Sequence, residues 1–124
     1  MILVDTSIWI DHFREGLPQL VRLLEHNFVL THPFVLGELA CGNLTSRTET
    51  LRLLSNLPGA PTASDSEVLA FIEVNRLMGR GIGFIDVHLL ASTALAADTS
   101  LWTHDQRLAK VSRNLNIGYE ASVH

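Results

Sequence analysis

An α/β sandwich with a mostly parallel central sheet of about five strands is the fold class this sequence predicts. Short apolar runs alternate along the chain with segments of helical period. Strands separated by helices pair in parallel through right-handed crossovers. The 124 residues carry no internal repeat, low-complexity segment or linker, so residues 1–124 are expected to form one domain. That length buries a core without disulfides or a structural metal.

The elements follow in order. Ile2, Leu3 and Val4 read as a short buried strand that runs straight into Asp5, Thr6 and Ser7. Leu17, Leu20, Val21 and Leu24 recur at helical spacing, and FVLT at 28–31 is a second strand. Pro33 suits the first turn of a helix that Gly42 would stop. Ser46 with Glu49, and Ser64 with Glu67, have capping-box spacing ahead of further helices, with room for a short strand at 58–63. A helix over 84–97 precedes a strand at 100–103 (SLWT). Asp105 then caps a helix carrying Leu108, Val111 and Leu115, and NIGY at 116–119 offers a last strand.

Composition excludes several classes. The net charge of −4 argues against coating nucleic acid by bulk electrostatics, so such a partner would be held by local cations, eight arginines and Lys110. The single cysteine, Cys41, is expected to be a small buried residue in a reducing compartment. The longest uncharged apolar run, 87–97, contains His88, Ser92 and Thr93 and is too short and polar to span a bilayer. With no basic flank or cleavage site at the start, a cytoplasmic protein without membrane attachment is expected.

The chemistry resides in carboxylates. In an open parallel sheet, ligands bind beyond the carboxyl ends of the strands. Asp5 follows the first strand directly and Asp105 follows SLWT, which puts both on one rim. Asp86 opens the helix after the glycine-rich GRGIG, and Glu38 stands among Phe34, Val35, Leu36, Leu39 and Ala40 on a largely apolar helix. Each aspartate alone would also serve as a helix cap. Converging like charges raise each other's pKa, a cost that a divalent cation removes. Oxygen-only ligands favour Mg²⁺ or Mn²⁺ over Zn²⁺.

The stretches VDTSIWIDHF, LGELACG and GIGFIDVHLLASTALAADTSLWTHDQRLAKVS, in that order, resemble the PIN-domain ribonucleases, specifically the VapC toxins of bacterial VapBC toxin–antitoxin pairs. The resemblance runs the length of the chain and is weakest between 45 and 75. It implies a PIN-like three-layer α/β/α sandwich. It places the family's acidic quartet on Asp5, Glu38, Asp86 and Asp105, with metal held chiefly by Asp5, Asp86 and Asp105, and matches Thr6 and Thr103 to hydroxyls that support the carboxylates. It further implies Mg²⁺- or Mn²⁺-dependent endoribonuclease activity that leaves 5′-phosphate and 3′-hydroxyl ends. A homodimer, a VapB-like antitoxin, and contact with operator DNA only through the antitoxin complex complete the expectation.

Other residues take secondary roles in this reading. Arg107, in the first turn after Asp105, and Arg80, before the glycine-rich approach to Asp86, are candidate substrate-binding cations, weighed against surface salt bridges. His88 and His104 stay outside the catalytic set as packing or flanking residues. Asp11 and Asp98 are expected to be solvated, and Trp9 and Phe13 to pack. A signalling receiver domain is disfavoured because its chemistry requires a lysine at the end of a late strand, whereas Lys110 lies inside a helix. The remaining alternative is a PIN-fold binding subunit without turnover, acting through a partner protein in a DNA-bound regulatory complex.

Overall fold

The structure, a computed structural model, describes residues 1–120. The described elements are β1 (Ile2–Val4), α1 (Thr6–Glu15), α2 (Pro18–Glu25), β2 (Val29–Leu30), α3 (Pro33–Ala40), α4 (Arg47–Ser55), α5 (Asp65–Asn75), α6 (Phe84–Leu95), β3 (Ser100–Trp102) and α7 (Gln106–Asn114). The strands form a parallel sheet in the order β2-β1-β3, with Leu3 opposite both Leu30 and Leu101. Successive strand residues point to opposite faces. Leu3 and Val4, Val29 and Leu30, and Leu101 and Trp102 are nevertheless all buried, so both faces of the sheet are covered. That arrangement is the three-layer sandwich expected.

Five chain segments do enter the sheet, but the outer two form single bridges rather than strands: Gly59 beside Thr31, and Gly118 beside Leu101. On the first of these segments Pro58 and Pro61 offer no N–H and restrict the backbone, so no ladder extends there. The strand expected at 116–119 is interrupted in the same way; Asn116 has φ +61°, outside the extended region.

Helix boundaries follow local chemistry with two exceptions. Ser64 and Glu67 form the reciprocal capping box at α5, with Ser64 N donating to Glu67 Oε1 at 2.9 Å and Glu67 N to Ser64 Oγ at 3.2 Å. Ser46 does not do so at α4: its φ and ψ of +49° and +50° turn the hydroxyl away, and it makes no cap bond. Cys41, expected inside, is exposed at the C-cap of α3, directly before the Gly42 that was expected to stop that helix. The helix expected to reach 97 ends at Leu95.

The seven residues from Val87 to Thr93 of α6 are all buried, so the polar ones need partners. Thr93 Oγ1 donates to the Leu89 carbonyl at 2.7 Å, and Ser92 Oγ lies 3.1 Å from His32 Nε2. His32 caps α3 through Nδ1, which accepts from Phe34 N at 3.0 Å, so its proton sits on Nε2. Burial, and then the neighbouring His88, push the His32 pKa down to about 4. As pH falls below the usual imidazole value, the unfolded chain takes up this proton before the folded one does. The stabilisation is therefore complete above pH ~6.5 and falls by up to about 3 kcal/mol as pH drops toward 4. Urea unfolding at neutral and acid pH should show this loss. It should shrink in His32→Asn, whose amide oxygen can cap α3 without titrating.

Candidate active site

In the order β2-β1-β3 the chain leaves β1 first to one side and later returns to the other. The carboxyl ends of β1 and β3 therefore flank the switch point at which open parallel sheets bind ligands. Asp5 directly follows β1, and its N–H bonds the Trp102 carbonyl at 2.9 Å, continuing the ladder to the rim. Thr103, His104 and Asp105 leave β3 alongside it.

Asp5 occupies the N-cap position of α1 yet makes no cap bond. Its side chain serves the rim instead. The residue is only 6% exposed, and its Oδ2 accepts hydroxyl protons from Ser7 and Thr103, each at 2.7 Å. Thr103 Oγ1 accepts from Asp105 N, and Ser7 Oγ from His104 N, both at 3.0 Å. Each hydroxyl thus receives a backbone proton and gives its own to Asp5, so the 3.2 Å approach of Ser7 Oγ to Thr103 Oγ1 is a contact of two committed groups. Two donors on one oxygen fix the orientation of this buried carboxylate.

The other three carboxylates come from three helices. Glu38, exposed on α3, accepts from Thr6 Oγ1 at 2.7 Å through Oε1, which ties α3 to the start of α1. Asp105 caps α7, its Oδ1 accepting from Leu108 N at 3.0 Å. Asp86 lies in the first turn of α6 rather than at its cap, and its Oδ2 reaches back to Gly83 N at 3.1 Å. Burial raises the Asp86 pKa; the Gly83 N–H opposes that, and the charges of Asp5, Asp105 and Glu38 add to it. The four side chains thus share one electrostatic neighbourhood.

This donor set suits a hard divalent cation. Each aspartate gives one oxygen to the bonds above and has no hydrogen bond on the other among the described residues. An all-oxygen set with excess negative charge matches Mg²⁺ or Mn²⁺. Among the described residues no three carboxylate, imidazole or thiol groups stand already clustered as a metal cage. Closure around a cation therefore requires rotamer changes, which the exposed Glu38 and Asp105 have room to make.

The candidate cations lie close by. Arg107 is exposed two residues after Asp105, and its side chain lies across Gly81, where a Cβ would come within 2.8 Å of Arg107 Cδ. Gly81 also has φ +79°, and this backbone conformation is what favours glycine there, since the exposed Arg107 side chain can shift. Arg80, half-buried, precedes it; neither arginine makes an ion pair among the described residues. His88 is buried edge-on between Phe34 and Phe84, with Nε2 3.1 Å from Asp65 Oδ1. Asp11, expected in solvent, lies 2.5 Å from His104 Nδ1 and 3.1 Å from Arg14. Trp9 is buried and stacks on a half-exposed Phe13. Ser7 is the site residue that sequence reading left out; its signal was a hydroxyl two residues after a strand-end aspartate.

A parallel three-layer sandwich with four carboxylates at its switch point is the architecture of a PIN domain. The PIN-domain sequence profile matches residues 2–114, a span that includes the whole quartet, and the chain belongs to that family. It is 46% identical over 108 residues to Ribonuclease VapC32 of Mycobacterium tuberculosis, in strain CDC 1551 / Oshkosh and in strain ATCC 25618 / H37Rv alike. The match covers 87% of this chain and 87% of each relative. Among the described residues no helix is long and apolar enough to cross a membrane.

Proposed function

We propose that the protein is the toxin of a type II toxin–antitoxin pair and acts as a metal-dependent endoribonuclease. The observation that carries this reading is the placement of Asp5 and Asp105 beyond the carboxyl ends of β1 and β3, tied to each other through Thr103 Oγ1, with Asp86 near enough to feel their charge and that of Glu38. The 46% identity to a protein named as a ribonuclease supports it.

A bound Mg²⁺ or Mn²⁺ would lower the pKa of a water and neutralise charge on the scissile phosphate. Asp5, Asp86 and Asp105 would hold the ion, Asp5 with its orientation set by Ser7 and Thr103. Glu38, steadied by Thr6, would orient the attacking water or help hold a second ion. Arg80 and Arg107, neither of them in an ion pair among the described residues, would meet substrate phosphates. Attack by water leaves 5′-phosphate and 3′-hydroxyl ends. The same reading includes a cytoplasmic homodimer and a small VapB-like antitoxin, with operator DNA reached only through their complex. An acidic pocket of this kind attracts a basic antitoxin side chain. No feature of the described residues favours a binding subunit without turnover.

The test is end-labelled RNA incubated with purified protein in Mg²⁺, Mn²⁺ or chelator, followed by analysis of the termini. Cleavage only with metal, leaving ends that a 5′-phosphate-dependent exonuclease degrades, is the expected result. Cyclic 2′,3′-phosphate ends, or equal cleavage in chelator, would overturn the mechanism.

A further inference from the structure

The protein carries excess negative charge, yet one face is cationic. From Gln106 to Tyr119 there is no aspartate or glutamate, while Arg107, Lys110 and Arg113 recur every third residue along α7. The buried side of α7 is Leu108, Val111 and Ser112, which leaves the three cations exposed on the other side. With Thr103, His104 and Gln106 they line an open groove of about 560 Å³ that starts at the rim of the carboxylate site.

The remaining basic residues are mostly engaged. Arg14 pairs with Asp11 and Arg52 with Glu49, Arg22 holds Gln19, and Arg47 donates to the Gly42 and Ala40 carbonyls. Among the described residues, the cations without such a bond are Arg76, Arg80, Arg107, Lys110 and Arg113, and three of these five line one groove. Arg107 lies across Gly81, so the cationic surface continues to Arg80 and the loop that leads to Asp86.

We propose that the α7 groove is the track for the RNA sugar–phosphate backbone on one side of the cleavage point, with Lys110 and Arg113 contacting phosphates beyond the scissile one. This assignment rests on the nuclease reading above and extends it. Between Arg107 and Arg113 the helix rises about 9 Å. That length lets the three cations meet successive phosphates of one strand. Such contacts position the chain and carry no base readout. They also answer an electrostatic problem: an acidic cleft repels a polyanion, and a cationic track leading into it offsets that repulsion. Lys110 and Arg113 are substrate-positioning residues, remote from the reacting atoms.

The experiment measures binding of a labelled, mixed-sequence single-stranded RNA oligonucleotide in chelator, so that no strand is cut. It compares the wild type, Lys110→Glu/Arg113→Glu, and Arg76→Glu as a charge reversal elsewhere. All three positions are exposed, and circular dichroism checks that each variant folds. The double variant should bind about tenfold or more weakly, and the slope of log K against log salt should fall by roughly 0.7 for each lost contact. In Mg²⁺ its KM for RNA should rise with kcat nearly unchanged. Binding and salt slope no different from those of Arg76→Glu would overturn the proposal, even where the double variant loses affinity for polyglutamate, the outcome expected of a docking face for an acidic protein. A wild type that binds RNA but does not cleave it with either metal overturns the nuclease reading and leaves the track standing.

Discussion

Replacing Asp5 with Asn is expected to lower RNA cleavage by at least about a thousandfold, the equivalent of roughly 4 kcal/mol of lost transition-state stabilisation. The fold should survive. The Ser7 and Thr103 hydroxyls donate to one oxygen of Asp5, and the Asn carbonyl can accept the same two bonds. What changes is the atom facing the site, where an amide nitrogen replaces a charged oxygen. Removing that charge also relieves Asp86, whose carboxyl Asp5 helps to push upward. The melting temperature of the metal-free variant should therefore equal or exceed that of the wild type, the usual exchange of activity for stability at a charged site. Stabilisation by added Mg²⁺, expected in the wild type by mass action, should be lost. Cleavage within tenfold of wild type by a folded Asp5→Asn protein would remove Asp5 from the centre of the reaction.

The positions of Asp5 and Asp105 were legible because they depend on topology. Once strands are seen to alternate with helices, the residue that ends a strand must lie on the carboxyl rim, whatever the packing behind it. Glu38 was legible for a different reason: a carboxylate on a largely apolar helix has no capping role. Asp86 was singled out by its glycine-rich approach and by a helix expected from 84, as observed, although the cap position falls to Gly83 and not to Asp86. Strand length was less legible. The segments around Gly59 and Gly118 take sheet positions, but whether they build ladders depends on prolines and on a left-handed Asn116.

The failures share a cause. Ser46 with Glu49 has the spacing of a capping box, and Cys41 sits in an apolar run, but both lie where the chain leaves α3 and turns into α4. There the backbone path decides, and Ser46 adopts a left-handed conformation that no three-residue spacing encodes. Ser7 was missed because its importance is non-local. Its partner hydroxyl on Thr103 is 96 residues away, and only the parallel pairing of β1 with β3 brings the two onto one carboxylate oxygen.

That convergence makes Thr103→Val the second large effect. Valine matches threonine in shape, so the change removes a hydroxyl with little alteration of packing. At a residue 9% exposed, the loss is twofold: Asp5 Oδ2 loses a donor and Asp105 N loses its acceptor. A hydrogen bond to a charged group is worth about 1.5–3 kcal/mol, and stability at neutral pH should fall by that order. Activity should fall by about 10- to 100-fold, the range for residues that orient metal-binding side chains. The loss should appear chiefly as weaker apparent Mg²⁺ affinity, since the carboxylates remain but Asp5 and Asp105 are no longer aligned through a common hydroxyl. Thr103→Ser restores that hydroxyl and should recover most of the lost metal affinity, which a generally loosened core would not do. Ser7→Ala removes the other donor and should reproduce the activity loss, because His104 N then loses its acceptor as Asp105 N does in Thr103→Val. If Thr103→Val lowers stability but leaves the Mg²⁺ dependence of cleavage unchanged, the hydroxyl pair supports the rim of the fold and not the orientation of its carboxylates.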